Sequence, residues 1–129
     1  MSKCESYTIR PIGIIHSPYV DISDVPQKAS SEIRAVVEIY PEYTEGISDI
    51  KKGDDIIILF YFHEAMSGQM RVMSRSHKKL MGVFSTRSPG RPNHIGMSIV
   101  KVENVRFGEI EFSGVDMIDS TPVIDIKPN

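Results

Sequence analysis

The sequence predicts a small, mainly β domain whose sheet closes, or nearly closes, into a barrel. Short β-branched runs alternate with turns along most of its 129 residues. One brief segment has the apolar spacing and the bounding residues of a helix, and no repeat, low-complexity tract or linker divides the chain. Closure removes the exposed strand edges that many short strands would otherwise leave in so small a domain. We therefore expect one domain over residues 1–129, with one or two short helices and no Rossmann sheet.

The first half of the chain carries three predicted strands. Tyr7 to Ile15 alternates partly, Ile33 to Tyr40 is rich in β-branched residues, and Ile56 to Phe62 is an unbroken apolar run. Such a run is typical of a strand buried on both faces. Before it, Pro41 opens and Gly53 closes a segment with helical apolar spacing, which predicts the brief helix.

The second half carries four more predicted strands. They cover Gly82 to Thr86, Met97 to Val105, Gly108 to Val115 and Val123 to Ile126. Arg106-Phe107 separates the second of these from the third, so those two strands are expected to form a hairpin.

Composition excludes several classes of protein. The termini and interior contain no apolar run of membrane-spanning length and no recognisable signal peptide, so a cytoplasmic protein is expected. A single cysteine, Cys4, excludes an internal disulfide and a cysteine metal cluster, and the four histidines lack zinc-site spacing. Neither a dinucleotide-binding nor a phosphate-loop glycine motif occurs, and no G-x-S-x-G elbow presents a nucleophile.

The stretch from Gly82 to Ser98, GVFSTRSPGRPNHIGMS, is the strongest candidate for a ligand-binding loop. Its prolines and glycines stiffen it against regular structure. Arg87 and Arg91 supply two guanidinium groups among short hydroxyl side chains, a combination that suits an anionic or carboxylate-bearing ligand. The alternative is an ordinary well-shaped surface loop.

The basic residues are concentrated in one window, although the whole chain has 15 Lys+Arg against 17 Asp+Glu. Between Glu64 and Glu103 there is no acidic residue. The cations of this window are Arg71, Arg75, Lys78, Lys79, Arg87, Arg91 and Lys101. Such a bias favours a polyanionic partner over a merely solvated face with counter-charges from elsewhere.

Three smaller clusters lie at strand ends or in turns. His63-Glu64 directly follows the apolar strand, and either ligand binding or simple solvation explains it. Asp119 to Pro122 is predicted to form a turn, and its residues favour a structural role over ligand binding. Pro26 to Lys28 lies in a polar loop. Met66, Met70 and Met73 have helical spacing and are expected in the core, with a soft apolar lining as the alternative.

Together these motifs resemble the TsaA-like proteins, the family that includes the tRNA N6-threonylcarbamoyladenosine methyltransferase. The shared elements are TRSPGRPNHIG within the loop, DSTPVIDIKP, FYFHE and IGIIHSPY, and they span Ile12 to Pro128. The resemblance implies a β-barrel that binds S-adenosylmethionine, acts on tRNA and forms a homodimer with the cofactor site near the subunit interface. Ser120 and His94 stand where the family pattern has glycine and proline.

The resemblance also implies residue roles. The expected cofactor contacts are Pro26, Gln27, Lys28, His63, Glu64, Arg87, Met97, Asp119, Ser120, Thr121 and Pro122. The expected contacts to the phosphates of the anticodon stem-loop are Arg71, Arg75, Lys78, Lys79 and Arg91. His63, Glu64 and Asp119 are candidates to receive the proton that leaves the acceptor nitrogen.

The functional hypothesis is methyl transfer from S-adenosylmethionine to N6 of threonylcarbamoyladenosine beside the tRNA anticodon, without a metal. One alternative is a non-catalytic protein that binds S-adenosylmethionine and RNA. The other is a methyltransferase with a small-molecule acceptor, for which the positive charges between Arg71 and Lys79 would be dispensable.

Overall fold

The fold consists of eight strands and three short 3₁₀ segments, in a computed structural model that describes residues 5–26, 28–65 and 68–129. The strands are β1 (Gly13–His16), β2 (Arg34–Ile39), β3 (Asp55–Tyr61), β4 (Arg71–Met73), β5 (Leu80–Gly82), β6 (Ile95–Arg106), β7 (Glu109–Ser113) and β8 (Pro122–Pro128). The 3₁₀ segments are Ile22–Asp24, Pro41–Ile47 and Val83–Ser85.

Six strands close into a barrel in the order β1-β2-β7-β6-β3-β8, and every neighbouring pair is antiparallel. β4 and β5 form a separate two-stranded hairpin. The predicted barrel is thereby confirmed. So is the β6–β7 hairpin, whose turn is completed by Gly108 at a φ of +74°, a conformation that glycine adopts without strain.

The barrel interior is filled by alternate residues of the strands. Along β3, Ile56, Ile58 and Phe60 are buried while their neighbours are more exposed, which is the period of a strand with one face inward. Fully buried Phe112 and Ile110 of β7 belong to the same hydrophobic core cluster. Burial of these large apolar side chains is the main stabilising contribution to the domain.

β6 is paired unequally on its two sides. Over residues 95–101 it pairs with β3, but its pairing with β7 begins only at Lys101, opposite Ser113. Gly114, at a φ of +85°, then turns the chain after β7. The first half of β6 therefore presents an edge that β7 does not cover.

Several sequence expectations differ from the structure. The first strand is Gly13–His16, far shorter than Tyr7 to Ile15, and the segment from Pro41 is a 3₁₀ helix. The strand expected from Gly82 to Thr86 is instead mostly the 3₁₀ segment Val83–Ser85, because the strand at this place, β5, already ends at Gly82.

The expectation that the methionines lie in the core is wrong for Met70 and Met73. Their side chains are 53% and 65% exposed, because this region forms the β4–β5 hairpin, in which helical spacing has no meaning. Met66 lies outside the described residues.

The antiparallel order gives the barrel two distinct ends. At one end β1, β3 and β7 finish and β2, β6 and β8 begin. The other end carries the Pro41–Ile47 segment and the β6–β7 turn. The loops after β1, β3 and β7 and the loop before β6 therefore all converge on the first end.

We predict that Gly96→Ala lowers the free energy of unfolding by more than about 1 kcal/mol, because the new methyl group overpacks the core. A Cβ at position 96 would lie 2.6 Å from the Phe60 ring and 2.7 Å from the Phe62 ring. Urea unfolding measures the change. Gly46→Ala is the control, because the new Cβ would lie within 4 Å of no described residue outside its own helical segment, and equal stability of the two variants would contradict the packing argument.

Candidate functional site

The described residues that the resemblance assigns to the cofactor lie in or beside the loops at the first barrel end. His63 and Glu64 follow β3, Arg87 precedes β6, and Met97 lies near the start of β6. The remaining ones are Pro26 and Lys28 after β1, and Asp119, Ser120, Thr121 and Pro122 between β7 and β8. Gln27 falls outside the described residues. Fold topology thus gathers segments that are far apart in sequence.

Arg91 holds the loop before β6 together from inside. Its Nη1 donates to the carbonyl oxygens of Thr86 and Ser88, both at 3.0 Å, and the residue is half-buried. The Ser88 amide donates to Thr86 Oγ1 at 3.2 Å, and Thr86 Oγ1 donates to the Val83 carbonyl at 2.8 Å. The loop is therefore internally cross-linked, and one nitrogen of Arg91 is committed to that task.

Arg87 occupies a different position in the same loop. The residue is exposed, and its Nη1 donates to the Met97 carbonyl at 3.2 Å, on the β6 edge that β7 leaves uncovered. This hydrogen bond fixes the guanidinium at the strand edge, and its other donors have no partner among the described residues, so they can contact a ligand.

The loop after β3 packs against the loop before β6. The Phe62 amide donates to the His94 carbonyl at 2.8 Å, and the Tyr61 and His94 rings meet edge to face with centroids 6.0 Å apart. A side chain at Gly68 would collide with the main chain of Gly90. His63 and Glu64 lie in the exposed turn that begins this loop.

The Asp119 turn is fastened to the loop after β1. Asp119 Oδ1 accepts a hydrogen bond from the Ser17 amide at 3.0 Å, and the Asp119 amide donates to the Tyr19 carbonyl at 2.7 Å. Thr121 is buried, and its Oγ1 donates to the Ile118 carbonyl at 2.7 Å. One oxygen of the Asp119 carboxylate thus supports the turn, whereas His63 and Glu64 face solvent.

Pro26 and Lys28 are both exposed in the loop that leads into β2. The same loop is tied to the segment after β7 by the Gly114 amide, which donates to the Ser30 carbonyl at 3.3 Å. This contact brings the loop alongside the residues that follow Gly114.

Sequence reasoning missed a polar pair at this end, Ser98 and Asp116. Ser98 is buried on β6, and its Oγ donates to Asp116 Oδ1 at 2.6 Å. The Asp116 residue is exposed overall, but its carboxyl group is partly buried, and this burial raises the pKa of the carboxyl group. The Ser98 hydroxyl, the Asp116 backbone amide and the Arg87 charge lower that pKa but do not cancel the rise. The sequence around it, SGVDM, carries no motif that singles it out.

The β4–β5 hairpin presents the predicted phosphate contacts. Arg71, Arg75, Lys78 and Lys79 are exposed, and none of them forms an ion pair within the described part of the chain. Ser74 organises the tip, because its amide donates to the Lys79 carbonyl at 2.9 Å and its carbonyl accepts from the Lys78 amide at 2.8 Å. The structure therefore brings four of the five predicted RNA contacts onto one small element and leaves Arg91 in the adjacent loop.

The far end of the barrel has a different character. Two shallow depressions of about 330 and 370 Å³ lie there, and Thr44, Phe107 and Gly108 line both. Neither contains a predicted site residue. They lie beside the exposed β6–β7 turn, so they are surface grooves and do not belong to the group of loops at the first barrel end.

Among residues 5–26, 28–65 and 68–129, no group of three or more His, Cys, Asp or Glu side chains is arranged to hold a metal ion.

No helix in the described part of the chain is both long enough and apolar enough to span a membrane.

Ser120 and His94, two of the residues that depart from the family pattern, both have left-handed backbone, with φ of +67° and +52°. The glycine of the pattern would suit position 120 without strain. A proline is restricted to φ near −65° and could not adopt the conformation found at position 94. The turn before β6 in this chain therefore requires a residue other than proline.

We predict that Ser120→Gly raises the free energy of unfolding by up to about 1 kcal/mol, because glycine relieves the left-handed strain. Ser120→Ala retains the strained φ and removes only a 3.4 Å hydrogen bond to Asp119, so it should not stabilise. Urea unfolding of both variants tests this, and a Gly variant no more stable than the Ala variant would contradict the strain argument.

Comparison with protein families matches residues 14–129 to the tRNA-methyltransferase O N-terminal domain. A probable S-adenosyl-L-methionine-binding protein of Pyrococcus abyssi is 43% identical over 121 residues, covering 92% of this chain and 66% of the relative. A mouse tRNA (adenine(37)-N6)-methyltransferase is 37% identical over 131 residues, covering 92% of this chain and 30% of the relative.

Among solved structures, TrmO from Pseudomonas aeruginosa superimposes with a TM-score of 0.82 at 32% identity. The alignment covers 97% of this chain and 56% of that protein. The chain thus corresponds to a little over half the length of this structural relative, and the shared part is the barrel with its loops.

Proposed function

The chain belongs to the tRNA-methyltransferase O N-terminal domain family, and from this membership we propose that it is an S-adenosylmethionine-dependent methyltransferase. We propose the acceptor to be N6 of threonylcarbamoyladenosine beside the tRNA anticodon, and the cytoplasm as the place of action. The observation that carries the proposal is the convergence of the expected cofactor contacts on one barrel end, beside an exposed cationic hairpin.

The chemistry of the groups at this end fits the cofactor. Arg87 offers guanidinium donors suited to a carboxylate, and the exposed Met97 side chain offers an apolar surface next to it. The turn from Asp119 to Pro122 adds a rigid wall, since it is anchored through Ser17 and through buried Thr121. The set combines charged, polar and apolar contacts, as an adenosine joined to an amino acid requires.

S-adenosylmethionine supplies a methyl group on a positively charged sulfur, which is already a good leaving group. The task of the chain is therefore to align donor and acceptor and to exclude water. The internally cross-linked loop before β6 is suited to alignment, because its geometry is fixed before binding. The acceptor nitrogen must lose its proton, and exposed His63 and Glu64 are better candidates to receive it than Asp119, whose carboxylate holds the Ser17 amide.

The β4–β5 hairpin is the proposed contact to the tRNA backbone. Its tip carries Arg75, Lys78 and Lys79 without acidic neighbours from Ala65 to Val102. Contacts from such residues would position the anticodon stem-loop, and a target base in a single-stranded loop can be splayed toward the cofactor at low cost.

We further propose a homodimer that joins through the outer face of β3 and β6. Apolar residues stand opposite one another there in three consecutive outward pairs, Ile57–Ile99, Leu59–Met97 and Tyr61–Ile95. An apolar strip on the outside of a barrel is unusual unless another surface covers it. Because Met97 belongs to the strip, a second copy bound there would lie next to the cofactor site.

We predict that Arg87→Ala weakens binding of S-adenosylmethionine at least about tenfold, since a charge-assisted hydrogen bond contributes roughly 1.5–3 kcal/mol. Calorimetric titration measures the dissociation constant. Arg106→Ala is the matched control, because Arg106 is an exposed arginine at the far barrel end whose one ion pair within the described part of the chain is with Glu109, at 4.0 Å.

Unchanged affinity of the Arg87 variant would remove Arg87 from the site. Absence of binding by the wild-type protein, with and without tRNA, would contradict the methyltransferase proposal as a whole. Binding without methyl transfer to modified tRNA would favour the non-catalytic alternative.

We predict that a variant with Arg75→Ala, Lys78→Asn and Lys79→Ala binds tRNA more weakly and with a shallower salt dependence. Each lost phosphate contact should reduce the slope of log K against log salt by about 0.7–0.9. Asparagine is chosen at position 78 because Lys78 has a φ of +53°, which asparagine tolerates.

The matched control removes three positive charges from the far end of the barrel, at Lys51, Lys52 and Arg106. Its affinity and salt slope should stay close to those of the wild type. If the hairpin variant behaves like this control and still methylates, the acceptor is not held through the hairpin, and a small-molecule acceptor becomes the better account.

A further inference from the structure

Ser98 and Asp116 fix a carboxylate beside the uncovered edge of β6. The Ser98 Oγ donates at 2.6 Å to Asp116 Oδ1, and Ser98 itself is buried and cannot swing away without disturbing the barrel. Gly114, two residues before Asp116, turns the chain there with its φ of +85°. The Asp116 carboxylate, in the loop between β7 and β8, is therefore held against the barrel by a buried strand residue.

Arg87 is anchored on the adjacent residue of the same strand. Its guanidinium donates to the Met97 carbonyl at 3.2 Å, while the Asp116 carboxylate is held by the side chain of Ser98. A cation and an anion thus attach to consecutive residues of β6.

These two charges are neighbours that do not form an ion pair. No nitrogen–oxygen distance of 4.0 Å or less joins Arg87 and Asp116, both of which belong to the described residues. Burial raises the pKa of the Asp116 carboxyl group overall, and the nearby Arg87 charge is among the groups that partly oppose this rise. Each group is held by a neutral partner on β6 and keeps free hydrogen-bonding capacity toward a ligand.

A ligand that carries an anionic and a cationic group close together satisfies such a pair at once. An α-amino acid does so, because its carboxylate and ammonium are attached to the same carbon. A guanidinium recognises the carboxylate through two parallel hydrogen bonds, and an aspartate accepts from the three ammonium donors.

We propose that Asp116 is a further cofactor-binding residue, which takes the α-ammonium group of S-adenosylmethionine while Arg87 takes its α-carboxylate. Ser98 acts as the positioning residue that orients the Asp116 carboxylate. This inference rests on the proposed function, since it assigns the amino-acid end of the same cofactor.

The test compares three ligands on wild-type protein and on Asp116→Asn, by calorimetric titration. S-adenosylmethionine and S-adenosylhomocysteine both carry the amino-acid group, whereas 5′-methylthioadenosine lacks it. We expect the variant to bind the first two at least about tenfold more weakly, since the lost hydrogen bond is charge-assisted. Binding of methylthioadenosine should stay within about twofold of the wild type, because its recognition involves no ammonium group.

Two further variants sharpen the test. Ser98→Ala keeps the Asp116 charge but removes its hydrogen bond. We therefore expect a smaller loss of affinity for the same two ligands and none for methylthioadenosine. This variant keeps the proposal testable if the Asp116 variant folds poorly. Asp55→Asn is the matched control, because Asp55 lies at the far end of β3 and pairs with Lys101 at 3.0 Å. It should bind all three ligands like the wild type.

Other outcomes would overturn the inference in distinguishable ways. Equal weakening of all three ligands would mean that Asp116 only supports the fold. Weakening of S-adenosylmethionine alone would place the carboxylate beside the sulfonium and not the ammonium. Failure of the wild type to bind any of the three would contradict the proposed function itself.

Discussion

The unequal pairing of β6 is the constraint on which the functional end of this protein depends. β6 runs for twelve residues, and β3 covers its first half while β7 joins it only from Lys101. The remaining edge exposes main-chain acceptors that must find other partners. The Met97 carbonyl finds Arg87, and the side chain of the next residue, Ser98, reaches Asp116. A mismatch in strand length thereby creates a charged edge at one end of an otherwise closed barrel.

Charged residues that look alike in sequence do different work around this edge. Arg91 turns inward and cross-links its loop through the carbonyls of Thr86 and Ser88, while Arg87 remains exposed at the strand. Among the acids, Asp119 supports the turn through the Ser17 amide. Burial raises the pKa of the Asp116 carboxyl group more than its hydrogen bonds and the Arg87 charge lower it. Rigid supports and ligand-facing groups are thus interleaved along the chain.

The sequence predicted the long barrel strands well, because each combines β-branched residues with a buried face. The bounds of β2, β3, β6 and β7 lie within two residues of the expected ones. The three-residue strands β4 and β5 are too short to show alternation, and the helical spacing that includes Met70 and Met73 wrongly predicted a core face at this hairpin. The Pro41–Ile47 segment has the expected position but winds as a 3₁₀ helix. The motif segments that the sequence singled out lie at one barrel end, and this shared location, which only the tertiary structure supplies, makes them a candidate site.

By itself the sequence determined the barrel class, the basic window and the loop chemistry, because strand periodicity, residue charge and proline and glycine content are local properties. The tertiary structure decided which groups meet. Register between β6 and β7 determines where the uncovered edge begins, and the turn at Gly114 determines that Asp116 lies against Ser98. Hydrogen-bond partners that are 18 residues apart in the chain leave no trace in local composition. Their pairing follows from barrel closure, in which every strand's register depends on its neighbours on both sides.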